Sequence, residues 1–368
     1  MAVKLEDLRR YAVARSLFKP TTLGRAIAKL GFVQADPIRA PARAQDLTLR
    51  HRVVNYRAGD LEQHYPRMAL DEDYFINYGF LPRTHHALMH PRTFPDEWPR
   101  PRAEHAAAVL AFIAERGAVH PREVDAHFAH GKTTNWFGGV SNVSTQLLDA
   151  MHYRGMLRVA RRDGGTRVYC VREAPPRPCD TVAPDVDARI DALVDIIVRK
   201  YAPLPAATLG NLVHRLKDAA PQWDTHRRAA LARAKARLAK AHVAGHDWYW
   251  PAGERPDSRR WQPDGEVRLL TPFDPIAWDR RRFEIFWEWA YRFEAYTPLP
   301  KRKLGYYALP LLWHDRMIGW GNLTLAQGRL QSTFGFVAGK APRSRAFRDA
   351  LEAEIARMST FLAAEEPV

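Results

Sequence analysis

The segment from residue 103 to residue 172 constrains the fold most strongly, because its helix and strand signals follow one another in a recognisable order. An alanine-rich stretch ends at Gly117, a His-Pro pair starts the next helix, and Gly164 and Gly165 fall where a hairpin turn is needed. The pattern predicts helices over 103–116, 120–128 and 141–154, followed by strands over 156–162 and 166–172. Three helices and a hairpin in this order are typical of a winged helix.

Basic residues lie where a winged helix would contact DNA. In that fold the third helix enters the major groove and the hairpin touches the phosphate backbone. The end of the third helix and the hairpin carry five arginines: Arg154, Arg158, Arg161, Arg162 and Arg167. We expect Arg154, Arg158 and Arg161 to bind nucleic acid, although a winged helix with a purely structural role would give the same pattern.

A second unit of this kind is predicted after a proline-rich linker at 175–184. Helices are expected over 186–201, 206–216 and 225–242, and an aromatic strand over 247–250. The last of these helices contains no acidic residue and presents Arg233, Arg237 and Lys240 on one face. Its wing is expected in the Asp- and Arg-rich turn at 251–264.

From residue 267 the pattern changes to that of a small β-barrel closed by a helix. Strands are expected over 267–270, 304–313, 317–325 and 329–336, an aromatic helix over 279–294 and a closing helix over 346–362. The predicted fold class is α+β. Four domains follow from this pattern: an N-terminal winged-helix-like domain over 1–100, winged helices over 101–175 and 185–265, and the barrel over 266–368.

A strand expected over 33–37 places two polar side chains where core residues are usual. The preceding helix ends at Gly31, and Pro37 favours extended backbone at Asp36. Residues two apart in a strand point to the same side, so Gln34 and Asp36 would be neighbours. This pair suits hydrolysis, since the carboxylate can activate water or stabilise a cationic sugar while the amide positions the water. Alternatively, Asp36-Pro37 begins a turn and Gln34 faces solvent at a sheet edge.

The composition favours an anionic polymer as partner. The 368-residue chain carries a formal net charge of +15 at pH 7, which indicates nucleic acid, although proteins from organisms with arginine-rich proteomes share this charge. If the basic residues after the motif strand lie near Asp36, they would keep its carboxylate ionised. Two clusters are candidate phosphate contacts or plain solvated surfaces: Arg39, Arg43, Arg50 and Arg52, and further on Lys301 and Arg302.

Other classes of protein and site are disfavoured. No run of about 18 uncharged apolar residues occurs, and the chain has two cysteines, Cys170 and Cys179, which fits a reducing cytoplasm. His86 and His90 stand one helical turn apart without an acidic or thiol neighbour in the sequence, so we expect no metal site there. We expect a monomer in the cytoplasm, associated with the nucleoid.

A run of motifs lies between residues 270 and 312: Leu270-Thr271-Pro272-Phe273-Asp274-Pro275-Ile276, Trp278-Asp279-Arg280, Arg292-Phe293-Glu294-Ala295-Tyr296-Thr297-Pro298, Lys301-Arg302, Gly305-Tyr306-Tyr307 and Leu309-Pro310-Leu311-Leu312. This run resembles the signature of the crosslink-repair DNA glycosylases of the YcaQ and AlkZ type. The resemblance implies tandem winged helices curved around a C-terminal β-barrel. It also implies that Gln34-Ala35-Asp36 is the catalytic motif, which in that family is Gln, an apolar residue, and then Gln or Asp.

The activity implied by the resemblance is hydrolysis of the N-glycosidic bond of alkylated purines in double-stranded DNA, notably N7-alkylguanine and, in some members, interstrand crosslinks. Alkylation makes the base cationic, so the base can leave as a neutral molecule without a general acid. Asp36 would be the general base and Gln34 would orient the water. Because no lysine lies in the motif to form a Schiff base, a monofunctional hydrolase is expected, with no metal and no cofactor.

The chain departs from the family's pattern in two places. Tyr74-Phe75-Ile76-Asn77 stands where many members have Trp-Ala-His-Glu, and Gly319-Trp320-Gly321-Asn322 replaces Gly-Arg-apolar-Asp. The competing interpretations are a DNA-binding protein without catalysis and a winged-helix transcriptional regulator. A regulator should be a symmetric dimer, and the sequence contains no heptad repeat or other evident dimerisation element.

Overall fold

The computed structural model describes residues 3–94, 96–129, 131–134, 140–173 and 185–363. Within these ranges the chain is a mixed α+β protein. The linker expected at 175–184 lies outside the described residues, as does Cys179. Among the helices of the described ranges, none combines the length and the hydrophobicity that crossing a bilayer requires.

The N-terminal part begins with two helices and a very short strand. Gly31 ends the second helix with a φ of 72°, a left-handed conformation that glycine adopts without strain. The next strand has only two residues, so Asp36 lies beyond its end and the extended run expected over 33–37 is only partly a strand. The elements of this part are α1 (Leu5–Ser16), α2 (Leu23–Leu30), β1 (Val33–Gln34), α3 (Ala44–Leu49), α4 (Asp60–His64), β2 (Leu70–Tyr74), β3 (Tyr78–Pro82) and α5 (Arg83–Met89).

The three helices and the hairpin predicted from residue 103 onward are present. Pro121 occupies the first turn of the second helix, and His120 caps it by accepting the backbone N–H of Arg122 through Nδ1 at 3.1 Å. The structure also contains a short antiparallel pair of strands that the sequence pattern did not predict. The elements are α6 (Arg100–Arg116), β4 (Ala118–Val119), α7 (Pro121–Phe128), β5 (Lys132–Thr134), β6 (Val140–Asn142), α8 (Val143–Tyr153), β7 (Leu157–Asp163) and β8 (Thr166–Val171), with sheet order β4-β8-β7.

The next segment repeats the order of helices and hairpin, with two corrections. The helix expected over 225–242 ends at Arg237, and a strand begins two residues later. The hairpin is formed by that strand and the aromatic strand, and not by the turn at 251–264. The elements are α9 (Val186–Tyr201), β9 (Leu204–Pro205), α10 (Ala206–Ala219), α11 (Arg227–Arg237), β10 (Ala239–Val243) and β11 (His246–Trp250), with sheet order β10-β11-β9.

The C-terminal sheet is an open antiparallel meander. The small barrel expected from the sequence is present in part: four strands pair in sequence order and form a curled half-barrel. The helix expected over 279–294 stops at Trp287, because Glu288 has a left-handed φ of 53°. The elements are β12 (Val267–Leu269), α12 (Arg280–Trp287), β13 (Leu309–Trp313), β14 (Arg316–Ala326), β15 (Arg329–Phe336) and α13 (Arg345–Leu362).

Packing divides the chain into two compact units built from segments that are distant in the sequence. The first unit comprises Met1–Leu61, Val194–His214 and Arg228–Val368, and the second comprises Glu62–Leu193 and Arg215–Arg227. The segments of each compact unit are therefore not consecutive in the chain. The four consecutive domains and the tandem arrangement of winged helices stay predictions.

The core of the first unit connects the N-terminal helix to the C-terminal sheet. Val13 of α1 packs with Phe283 of α12 and Leu312 of β13. Leu270, Ile276 and Ala277 belong to the same cluster, so the loop between β12 and α12 is fixed by its own apolar side chains. This loop carries Trp278, which contacts the Gln34 motif.

Candidate active site and basic surface

Gln34 is held by an indole from the opposite end of the sequence. The side chain of Gln34 is largely buried, and its Oε1 accepts the Trp278 Nε1–H at 3.1 Å. The Trp278 ring in turn packs against Tyr201, with ring centroids 5.2 Å apart. Because an indole N–H can only donate, this bond decides which end of the Gln34 amide faces Trp278. The direction of the Gln34 NH₂ group is therefore fixed as well.

Asp36 is partly exposed and lies just past β1. Its Oδ1 accepts the backbone N–H of Ile38 at 2.9 Å, and its own backbone N–H donates to Oε1 of the buried Gln45 at 3.4 Å. Burial raises the pKa of Asp36, and the Ile38 N–H lowers it by a smaller amount. No arginine contributes to this shift, so the influence expected from neighbouring arginines is not found, and the net shift of the Asp36 pKa is upward.

Two tyrosines from the C-terminal part lie close enough to Asp36 to sense its charge. Tyr307 is buried, and its pKa is raised first by burial and further by the Asp36 carboxylate. Tyr296 is 79% exposed, and its pKa is raised by desolvation and then by Asp36. Since such an influence weakens with distance, both phenols lie within range of the Asp36 charge. The ring of Phe293 contacts both tyrosines, and it also contacts Phe273 of the loop that carries Trp278, with ring centroids 5.1–6.1 Å apart. The segment that contains Tyr296 and Tyr307 therefore packs on the loop that binds Gln34.

Lys200 is a basic neighbour of the motif that the sequence did not reveal. It lies on α9, is 4% exposed and donates through Nζ to the backbone carbonyl of Phe32. Burial lowers its pKa to about 7. The Lys200 amine is therefore buried next to the strand that carries Gln34.

Arg50 and Arg52 are structural residues. Arg52 is completely buried, and its guanidinium donates to both oxygens of Asp274, at 2.8 and 3.1 Å. Arg50 forms a buried ion pair with Glu354 of α13. Neither guanidinium is available to a phosphate, so we withdraw both from the expected nucleic-acid contacts.

The other two arginines of the N-terminal cluster differ in exposure. Arg43 is 9% exposed and occupies the N-cap position of α3. Arg39 is exposed in the loop after the Gln34 motif. Of the four basic residues predicted in this cluster, Arg39 is the one whose side chain is open to solvent.

The arginines predicted in the second unit are mostly engaged within the protein. Arg154 lies over the rings of Phe94 and Trp98, at 4.3 and 4.7 Å. Arg158 pairs with the buried Asp71 at 3.3 Å. Arg161 is exposed and pairs at 3.1 Å with Asp163, which is also exposed. A pair of this kind is weak and readily exchanged for a phosphate.

Of the two basic residues before the C-terminal sheet, one is exposed and the other is engaged within the protein. Lys301 is exposed at the end of a short 3₁₀ turn (Leu299–Lys301). Arg302 donates to the carbonyl of Thr297 at 2.7 Å, and its guanidinium lies 5.0 Å above the Tyr306 ring. Arg302 therefore stabilises its own loop, whereas Lys301 projects from it.

His86 and His90 do have an acidic partner, contrary to the premise drawn from the sequence. Oδ2 of the buried Asp73 lies 3.0 Å from His86 Nε2 and 2.8 Å from His90 Nε2. These three side chains converge as metal ligands could. However, Arg92 donates to the other Asp73 oxygen at 2.9 Å, so the carboxylate charge is already balanced and a dication would add two uncompensated buried charges. The geometry fits a hydrogen-bonded structural network better than a metal centre.

The family assignment agrees with this site. The chain matches the family model described as DNA glycosylase AlkZ-like over residues 27–361, a span that includes Gln34, Asp36, Trp278, Tyr296 and Tyr307. The protein therefore belongs to the AlkZ-like DNA glycosylase family, whose members are hydrolases acting on DNA. Among solved structures, it resembles Streptomyces sahachiroi DNA glycosylase AlkZ with a TM-score of 0.63 and 13% sequence identity, covering 98% of this chain and 97% of that chain. At this identity the likeness shows the fold alone.

Several residues around the site were not assigned a role from the sequence. Trp278, Tyr296 and Tyr307 lie inside the motifs that carry the family resemblance, so a signal existed but gave them no role. Gln45 and Lys200 had no such signal. Both are buried polar residues on helices, and only their contacts with the backbone of Asp36 and Phe32 reveal them.

Proposed function

We propose that this protein hydrolyses the N-glycosidic bond of alkylated purines of the N7-alkylguanine type in double-stranded DNA, acts as a monomer, and releases crosslinked guanines by the same chemistry. The observation that carries the proposal is the pairing of a partly exposed carboxylate, Asp36, with an amide two residues away that Trp278 holds in one orientation. Membership of the AlkZ-like family supports the reaction class.

The proposed reaction needs little more than these two side chains. The bond between C1′ and N9 breaks, and its electron pair neutralises the positive charge of the alkylated base. The oxygen of a water molecule forms the new bond to C1′, and its proton passes to Asp36. Gln34 orients this water, and the Asp36 charge stabilises the cationic sugar as it develops. A raised pKa makes the ionised Asp36 a better proton acceptor.

The same chemistry supports a monofunctional enzyme that uses no metal. The leaving base already carries the positive charge that an acid or a metal ion would otherwise supply. Lyase chemistry would require an amine to attack C1′. Lys200 is the amine found next to the motif in the part of the chain that the structure describes, and it is buried against the Phe32 carbonyl.

The decisive experiment measures free base released from duplex DNA that contains N7-methylguanine. Wild-type protein should release the base, and Asp36→Asn should slow release by about 10² to 10⁴ because it removes the proton acceptor. Binding of the same duplex by Asp36→Asn should persist. If Asp36→Asn releases base as fast as wild type, Asp36 is not the general base. If wild type releases none and binds a single DNA sequence, the regulator interpretation is favoured.

A further inference from the structure

Three large apolar side chains project into solvent from the segment that contains Tyr296 and Tyr307. We call residues 292–306 the aromatic loop. Within it, Tyr296 is 79% exposed, Leu299 74% and Tyr306 43%. Single exposed apolar residues are common on proteins, but three within eleven residues form a patch that typically marks a binding surface.

The aromatic loop is held rigidly. The Glu294 carboxylate accepts backbone N–H groups from Lys303, Leu304 and Gly305 at 2.7–3.2 Å. Although burial raises its pKa, these N–H groups together lower it, so Glu294 is bound as an anion. The backbone that carries the exposed side chains is therefore held in place by Glu294, which lowers the entropy cost of binding a ligand.

A residue that departs from the family's pattern supports the same loop. Asn322 donates through Nδ2 to the carbonyl of Leu304 at 2.8 Å. A Cβ on Gly305, whose φ is 123°, would lie 2.3 Å from Asn322 Oδ1. The close approach of Asn322 thus depends on the glycine that precedes Tyr306.

The three tyrosines of this region are not equivalent. Tyr307 is buried, with its hydroxyl 3.4 Å from Thr271 Oγ1. The Arg302 guanidinium lies 5.0 Å from the centroid of the Tyr306 ring, so one face of that ring already binds a cation. Tyr296 contacts Phe293 with ring centroids 6.1 Å apart at 83°, and 79% of its surface stays exposed. Of the three rings, Tyr296 is therefore the most accessible to a ligand.

We propose that the open face of Tyr296 stacks on the alkylated base and recognises its positive charge. This inference rests on the proposed function, because it assumes that the sugar of the damaged nucleotide lies at Asp36. A ring near that carboxylate is then well placed for the base attached to the same sugar. The negative face of an aromatic ring attracts a cation, and N7-alkylation turns a neutral guanine into one. Tyr296 would thus distinguish alkylated from undamaged purines before any bond breaks.

Binding to two isosteric lesions tests this role. One duplex carries N7-methylguanine, which is cationic, and the other carries 7-deaza-7-methylguanine, which has the same shape without the charge. Dissociation constants are measured in the Asp36→Asn background, which removes both hydrolysis and the attraction of that carboxylate for a cation. We expect this protein to bind the cationic duplex about threefold to thirtyfold more tightly. Adding Tyr296→Phe should keep the preference, and adding Tyr296→Leu should remove most of it.

Tyr306→Leu is the matched control, because one face of the Tyr306 ring already binds the Arg302 cation, so the loss of this ring should leave the preference intact. A preference that survives Tyr296→Leu, or none in the Asp36→Asn protein, overturns the inference while base release by wild type can still establish the activity. Conversely, a Tyr296-dependent preference without base release would mean that lesion recognition is correct and the proposed hydrolysis is not. Thermal unfolding of each variant checks that the fold is kept.

Discussion

Asp36 combines solvent access with partial burial, and this combination determines how its activity should depend on pH. Burial disfavours the charged carboxylate, so its pKa lies above the ordinary value near 3.8. The base must be ionised to accept a proton. Activity should therefore fall as the pH decreases through this raised pKa.

The single-turnover rate of base release, measured from pH 7.5 down to pH 4 and corrected for spontaneous depurination, should show this acid limb. We expect a slope approaching one decade per pH unit, with its midpoint above pH 3.8. The residual activity of Asp36→Asn should lack the limb, since its side chain does not titrate. A wild-type rate that stays constant down to pH 4 would contradict the assignment of Asp36 as general base.

At the residue scale, the sequence identified Gln34 and Asp36 but not what orients them. The spacing of the two residues and the Gln-x-Asp motif are local properties. The bond between Gln34 and Trp278 joins residues 244 positions apart, so no local pattern contains it. Arg52 was expected on a basic surface, but its guanidinium forms a buried ion pair with Asp274. A basic residue type in the sequence therefore does not show whether its side chain is exposed.

At the scale of elements, the loop between β12 and α12 is the connection between the N-terminal motif and the C-terminal part of the first unit. Asp274 binds Arg52, while Trp278, four residues later, binds Gln34. The loop is also fixed by the apolar residues Leu270 and Ile276. The ion pair and the hydrogen bond to Gln34 therefore depend on the same backbone.

Asp274→Asn should destabilise the protein strongly. The substitution leaves the fully buried Arg52 guanidinium without its counter-charge, which typically costs about 3–5 kcal/mol. Urea unfolding at pH 7 measures the change. The control is Asp349→Asn on α13, whose exposed pair with Arg345 should contribute less than about 1 kcal/mol. Equal effects of the two substitutions would show that the buried pair is not a structural anchor.

One helix and one strand are shorter than predicted, and each has a cause that composition does not reveal. α12 was expected to continue to residue 294, but it ends where Glu288 turns left-handed, and the aromatic residues that follow pack from a loop. The strand expected from residue 304 begins at Leu309, because Glu294 binds the backbone N–H groups of 303–305. A tertiary contact thus overrides a strand signal.

At the scale of the whole molecule, the net charge of +15 overstates how many cations are free to meet DNA. Arg50, Arg52, Arg158 and Arg302 are engaged by partners within the protein. Arg39 and Lys301 are exposed basic residues of the first unit and are the better candidates for phosphate contacts. We expect their contribution to be independent of DNA sequence.

Replacing Arg39 and Lys301 with glutamine should weaken binding to all duplexes alike and flatten its salt dependence. If each residue neutralises one phosphate, the slope of log Kd against log salt concentration should decrease by about 1.8. Fluorescence anisotropy from 50 to 300 mM salt measures the slope. Arg345→Gln on α13, which removes an equally exposed charge, serves as control. A slope that is unchanged in the double variant would exclude both residues from the DNA interface.

The order of the elements, the family resemblance, and the candidate carboxylate and amide could all be predicted from the amino-acid sequence, because they depend on side-chain periodicity, turn residues and short motifs. The half-barrel form of the C-terminal sheet and the division into two compact units could not be predicted in this way. Nor could the burial of particular arginines or the high exposure of Tyr296. These properties depend on hydrogen-bond partners and packing between residues that folding brings together across hundreds of positions.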